Sequence, residues 1–151
     1  INVIPAISTV KNGISWRQSV YYPLYFASLY GRGETLQLKI DSPKYSSDIA
    51  DDADYIDASA VINNKEKNLS FFIVNRSEKE NVELNFDLHN LNIDKIADQQ
   101  IINHENIYIS NTRDNPNSII PKKTSIVSYQ NDELNADIPP LSYVFVRLQL
   151  K

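Results

Sequence analysis

A chain of 151 residues, 42% apolar and 23% charged, is long enough for one domain with a core of its own. Its net charge of −4, with no basic block, argues against a nucleic-acid partner, and no run of eighteen apolar residues is present to span a membrane as a helix. The absence of cysteine excludes disulfides and thiolate metal sites, and leaves localisation open between cytoplasmic and periplasmic or secreted.

The chain opens on INVIPAI, residues 1–7, an apolar run of the buried type found in parallel sheets rather than a signal peptide. With no methionine in the sequence, the expectation is a piece of a longer protein, cut before an internal strand. Residues 8–15 read as a polar loop with a turn at Asn12-Gly13. Next comes WRQSVYYPLYFASLYG, residues 16–31, which holds six of the fifteen aromatic residues. It reads as a helix apolar nearly all round, with one stripe at 21, 24, 25 and 28 and another at 22, 26, 29 and 30, and therefore as a buried helix. Pro23 predicts a kink, or a helix proper that starts there, and Gly31-Arg32-Gly33 ends it.

After Gly33 the pattern changes to strands. Residues 35–40 alternate, and residues 55–62 place Ile56, Ala58, Ala60 and Ile62 on one face. Residues 69–74 read as a central strand, and 75–81 as a charged hairpin loop. Residues 82–88 alternate with Val82, Leu84, Phe86 and Leu88 inward, and 95–103, 107–110, 125–129 and 142–150 complete the strands. Short strands at regular spacing predict a mainly β protein, an antiparallel sandwich behind a single strand-loop-helix unit. Lys122-Lys123, the only basic doublet of the second half, reads as a solvated loop.

The segments NVIPAI, WRQSVYYPLYFASLYGRG, SPKY, YIDASAVIN, FIVNR, NTRDNPNSIIP and IPPLSYVFVRL occur in the order seen in one family. Together they resemble the C-terminal portion of the α-L-arabinofuranosidases of glycoside hydrolase family 51, over essentially the whole chain. The resemblance implies a jelly-roll β-sandwich at 34–151. It also implies that 1–33 are the last strand and helix of a (β/α)₈ catalytic barrel, with residues 2–7 as the eighth strand. The aromatic helix would then pack on the barrel and on the sandwich behind it. An exposed barrel face would draw in another copy of the chain, so self-association is expected.

The parent implied by the resemblance removes terminal non-reducing α-L-arabinofuranosyl residues from arabinan or arabinoxylan. Retaining glycosidases use two carboxyl groups about 5–5.5 Å apart. The family takes both glutamates from the fourth and seventh barrel strands, and no glutamate precedes Glu34 in this chain. The 151 residues alone are therefore expected to be inert, with no catalytic residue among them and no cofactor or metal required. What they contribute is the loop after the eighth strand, because barrel sites lie at the C-terminal strand ends. A glutamine of the family's tryptophan-arginine-glutamine segment contacts the arabinofuranose, and that position is Gln18. Trp16 is a weaker candidate as a stacking platform and a stronger one as an anchor beneath the loop. Arg17 is expected to fix the loop through a carboxylate from outside the chain.

The remaining motifs carry less. Asp48, Asp51, Asp52, Asp54 and Asp57 lie in a stretch without the glycine turn of a calcium loop, and read as solvated. His89 and His104 lack metal-ligand spacing. Asn68-Leu69-Ser70 and Asn75-Arg76-Ser77 match the glycosylation tripeptide. The competing function is a non-catalytic carbohydrate-binding or interaction module. It would need coplanar exposed aromatics, for which the strands offer Tyr45, Tyr55, Tyr108, Tyr129 and Tyr143.

Overall fold

The structure, a computed structural model, describes residues 5–88, 91–131 and 133–151. A hairpin of β1 (Ile7–Thr9) and β2 (Ser15–Arg17) leads into the helix α1 (Tyr21–Tyr30). Then follow β3 (Glu34–Leu36), a second hairpin of β4 (Lys44–Ser47) and β5 (Ala50–Asp54), β6 (Ile56–Asn63), β7 (Asn68–Asn75) and β8 (Val82–Phe86). The chain closes with β9 (Ile93–Asn103), β10 (Lys122–Lys123), β11 (Val127–Gln130), β12 (Glu133–Ile138) and β13 (Ser142–Leu150). A six-stranded sheet in the order β10-β9-β13-β7-β6-β3 faces a three-stranded sheet in the order β11-β12-β8, all pairings antiparallel.

Successive side chains of a strand point to opposite faces, and β13 uses both. Val144, Val146 and Leu148 enter the core between the sheets, among Ile56, Leu69, Phe71, Ile73, Leu134 and Ile138. Tyr143 and Phe145 point the other way, into a second cluster with Ile102 and Ile119. Helix α1 closes that cluster. Phe26 stacks on Phe145 with ring centroids 4.6 Å apart and planes 6° from parallel, and Tyr30 stacks on the same ring at 5.0 Å. A central strand buried on both faces reads as an unbroken apolar run, as Tyr143 to Val146 do at the centre of SYVFVRLQL.

The aromatic segment thus packs on the outer face of the larger sheet, through Tyr22, Phe26 and Tyr30. The expectation of a helix buried all round is corrected: Leu24 is 59% exposed, and Tyr25 and Leu29 are also open. No described element lies on that side to cover them. The helix starts at Tyr21 instead of Trp16, since Ser15 to Arg17 pair with β1. Pro23 sits in its first turn, where a missing N–H leaves no intrahelical bond unmade. Gly31 ends the helix, its N–H donating to Ala27 O at 2.8 Å. Gly33, at φ +148°, lets β3 start against β6, because a Cβ there would lie 2.1 Å from the Ile62 carbonyl oxygen.

Other expectations change in the same way. Of residues 1–7, the first four lie outside the described residues, and Ile7, far from buried, is 51% exposed at the start of an antiparallel hairpin. Residues 107–110 form no strand; the Asn106 side chain accepts the Tyr108 N–H and its carbonyl the Ile109 N–H, which turns the chain. The acidic stretch stays largely exposed, but Asp48 to Asp54 fold into the β4–β5 hairpin and Asp57 onto β6, and Lys122-Lys123 form a short edge strand, where exposed lysines guard an open edge. Residues 75–81 are no hairpin loop, since β7 and β8 belong to different sheets. Asn75, 1% exposed, fastens that crossing: its Nδ2 donates to the carbonyls of Glu80, Ile138 and Pro139, and its Oδ1 accepts the Ser77 N–H. Burial also removes Asn68 and Asn75 as glycosylation sites.

Candidate functional site

The region singled out by the sequence is held in place by one residue of the sandwich side. Gln18 follows β2, donates its backbone N–H to Ala6 O at 2.9 Å, and accepts the Tyr21 N–H at 3.0 Å, so it sits where strand turns into helix. Its Nε2 donates to Ser8 Oγ and to the Asn111 carbonyl oxygen, each at 3.0 Å. The Trp16 indole N–H donates to that same carbonyl, also at 3.0 Å. A carbonyl oxygen has two lone pairs, and both are taken.

Asn111 is 2% exposed. Its Nδ2 donates to Arg17 O and Ile119 O, each at 2.8 Å, and its Oδ1 accepts the Ile119 N–H at 2.7 Å. One buried side chain and one carbonyl therefore tie three consecutive residues, Trp16, Arg17 and Gln18, to a loop more than ninety positions away. Arg17 lies exposed, with its guanidinium 5.0 Å from the Tyr21 ring centroid, a cation–π contact, and forms no ion pair with a described residue.

The chemistry available to Gln18 follows from its bonds. Both amide protons are used inside the protein, and no described residue donates to its Oε1. The group left for a ligand is an acceptor, matched to a sugar hydroxyl. Trp16 holds its indole N–H against Asn111 and is half-buried, the arrangement of an anchor beneath the loop. Sequence reasoning missed Asn111. It lies in NTRDNPNSIIP, one of the segments that carry the resemblance, but nothing in that composition distinguishes one buried asparagine from its exposed neighbours.

Neither principal depression of the surface contains Trp16, Arg17 or Gln18. A cleft of about 420 Å³ lies beside the start of α1, lined by Val20, Pro23, Ile107 and Tyr143 among others. Burial pushes the Tyr143 phenol well above its ordinary range, so it stays protonated. A groove of about 740 Å³ opens between β6 and β8, walled by apolar side chains such as Ile56, Phe71 and Leu84. Of the five tyrosines that a carbohydrate platform would draw on, Tyr45 and Tyr55 stack on each other at 4.8 Å, Tyr143 lies under α1, Tyr129 packs against the core, and Tyr108 stands alone.

Carboxylates are dispersed. Asp52 pairs with Lys44 at 2.8 Å and Asp57 with Arg76 at 2.7 Å, both exposed. Burial acts to raise the Asp98 carboxyl, but hydrogen bonds from Lys123 and Gln100 outweigh it and hold the group below its ordinary value. Among the described residues, no three His, Asp or Glu side chains converge as a metal site would require. His104 Nδ1 accepts the Asn106 N–H at 2.9 Å, and His89 lies outside the described residues.

The described residues form an antiparallel sandwich with an aromatic helix across its larger sheet. It superposes on a family 51 α-L-arabinofuranosidase from Bifidobacterium longum with a TM-score of 0.88 at 26% identity, covering 98% of this chain and 28% of that one. Residues 1–142 match the α-L-arabinofuranosidase C-terminal domain, and the chain belongs to that family. The intracellular exo-α-(1→5)-L-arabinofuranosidase 1 of Bacillus subtilis is 36% identical over 149 residues, and that of Halalkalibacterium halodurans 32% identical over 151. The chain covers 99% and 100% of itself in these alignments but only 29% and 30% of the relatives' lengths. It corresponds to the C-terminal portion of the arabinofuranosidases it matches, and most of their length lies outside it.

Proposed function

We propose that the protein to which these residues belong removes terminal non-reducing α-L-arabinofuranosyl residues from arabinan or arabinoxylan, with retention. In this reading residues 1–33 complete the barrel, residues 34–151 form the sandwich that braces it, and the sandwich takes part in self-association. Gln18 accepts a hydrogen bond from the bound arabinofuranose. Chemistry then needs a carboxylic acid to protonate the leaving oxygen and a carboxylate to form the covalent arabinosyl intermediate that water opens. Both groups come from outside the 151 residues.

The observation that carries this is the open apolar face of α1. Leu24, Tyr25 and Leu29, with Val20 and Ile14 nearby in sequence, offer one side of a helix to a neighbour, directly after the loop that ends in Gln18. A helix packed on one side and apolar on the other has the pattern of an element between two layers.

Hydrolysis of p-nitrophenyl α-L-arabinofuranoside by the 151-residue chain and by the full-length protein tests it. Activity in the full-length protein and silence in the fragment is the expected result. Turnover by the fragment alone would refute the assignment of the catalytic carboxyls to the missing part.

A further inference from the structure

The geometry points to Asn111 as a positioning residue for the sugar pocket, through which the sandwich sets the orientation of Gln18. This deepens the reading above and rests on Gln18 facing the substrate.

A glutamine side chain has three rotatable bonds, and a free one spreads its carboxamide over several rotamers. Gln18 is not free. With its two amide protons fixed on Ser8 Oγ and Asn111 O, the direction of Oε1 is fixed as well, because the carboxamide is planar. The fixed point is Asn111. Ser8 lies on β1, the strand paired with Trp16's own, and would move with the hairpin. Asn111 belongs to the loop between β9 and β10, and its side chain is pinned to Ile119, whose own side chain is buried in the cluster beneath α1. Its carbonyl thus carries the rigidity of the sheet to the amide of Gln18. The bond from Nδ2 to Arg17 O holds the intervening backbone at the same distance, so strand and side chain are located together. Preorganisation of this kind saves the cost of ordering the side chain on binding.

A positioning role and a purely structural one differ in kinetics. Loss of fold lowers the amount of active enzyme, hence the apparent kcat, and leaves KM alone. Loss of orientation at a group that contacts the bound sugar raises KM in the molecules that remain folded. In the full-length protein, Gln18→Ala should raise KM for p-nitrophenyl α-L-arabinofuranoside about tenfold, the value of one hydrogen bond. Asn111→Asp keeps the acceptor for the Ile119 N–H and loses both Nδ2 donors; it should raise KM by a similar factor. Asn111→Ala should do the same. The double variant Gln18→Ala/Asn111→Asp should be no worse than Gln18→Ala, because the second change acts through a side chain already gone.

An unchanged KM in the Asn111 variants, or losses that multiply in the double variant, would overturn the inference. If neither Asn111 variant folds, Trp16→Phe takes their place. It withdraws one donor from the same carbonyl, and a KM that stays at the native value, or a loss that multiplies with that of Gln18→Ala, would count against the inference equally. A native KM in Gln18→Ala itself would sink the pocket reading instead, which separates the two failures.

Discussion

The interior of the sandwich and the unit that precedes it are built from similar residues to different ends. Between the sheets, Leu69, Ile73, Val144 and Leu148 have no exposed surface at all. On α1, leucines at 24 and 29 stand open while Tyr22 and Phe26 are buried. The sandwich satisfies its apolar surface internally; the helix satisfies one stripe and presents the other. Hydrophobicity alone therefore does not say where a residue lies. What decides is whether a second layer exists on its side, and for α1 only the sheet side is supplied by the described residues.

Four changes would break or sharpen that contrast. Phe145 is shared by Phe26, Tyr30 and Phe72, so Phe145→Ala should cost about 3–5 kcal/mol in urea unfolding. A loss below about 1 kcal/mol would mean that the helix and the sheet do not form one cooperative unit. Asn75→Ala strips donors from three carbonyls at the crossing between sheets, and a loss of about 2–3 kcal/mol is expected in the same assay. A change within experimental error would show that water replaces those bonds and that the crossing is not a buried joint.

A smaller effect comes from Asp98. Its carboxyl lies below the ordinary value when folded, so the stability it adds is present above the unfolded value of about 3.9 and lost as pH falls through the folded one. Lys123 is exposed, which limits the contribution to about 1 kcal/mol. The native protein should exceed Asp98→Asn by that amount at neutral pH, and the two unfolding curves should converge in acid; a gap that persists below pH 2 would assign the effect to packing. The smallest change belongs to Leu24→Ser, which should alter the stability of the 151-residue chain by no more than about 0.5 kcal/mol in urea unfolding. The same substitution in the full-length protein should cost several times more. Equal costs in the two would mean that α1 has no second layer to meet.

Much of the fold was legible because strands of a sandwich carry their own period. β6, β7, β8 and β13 alternate or run apolar over five to nine residues, and each was found near its true bounds. β12 was overlooked although Leu134, Ala136 and Ile138 alternate, since its charged and amide residues resemble a loop. The segment at 107–110 erred the other way, its isoleucines and tyrosine outvoted by one asparagine that closes a turn. At the candidate site, Gln18 and Trp16 were reached through resemblance, and Asn111 was not reached at all.

Local patterning by itself determined that the chain is a β-sandwich preceded by an aromatic helix, because periodicity and glycine punctuation act over a few residues. Which stripe of the helix meets the sheet, which turn lies between sheets, and which asparagine holds Gln18 were decided by tertiary structure. Each depends on contacts between residues tens of positions apart, and a buried hydrogen bond of that kind leaves no period in the sequence to read.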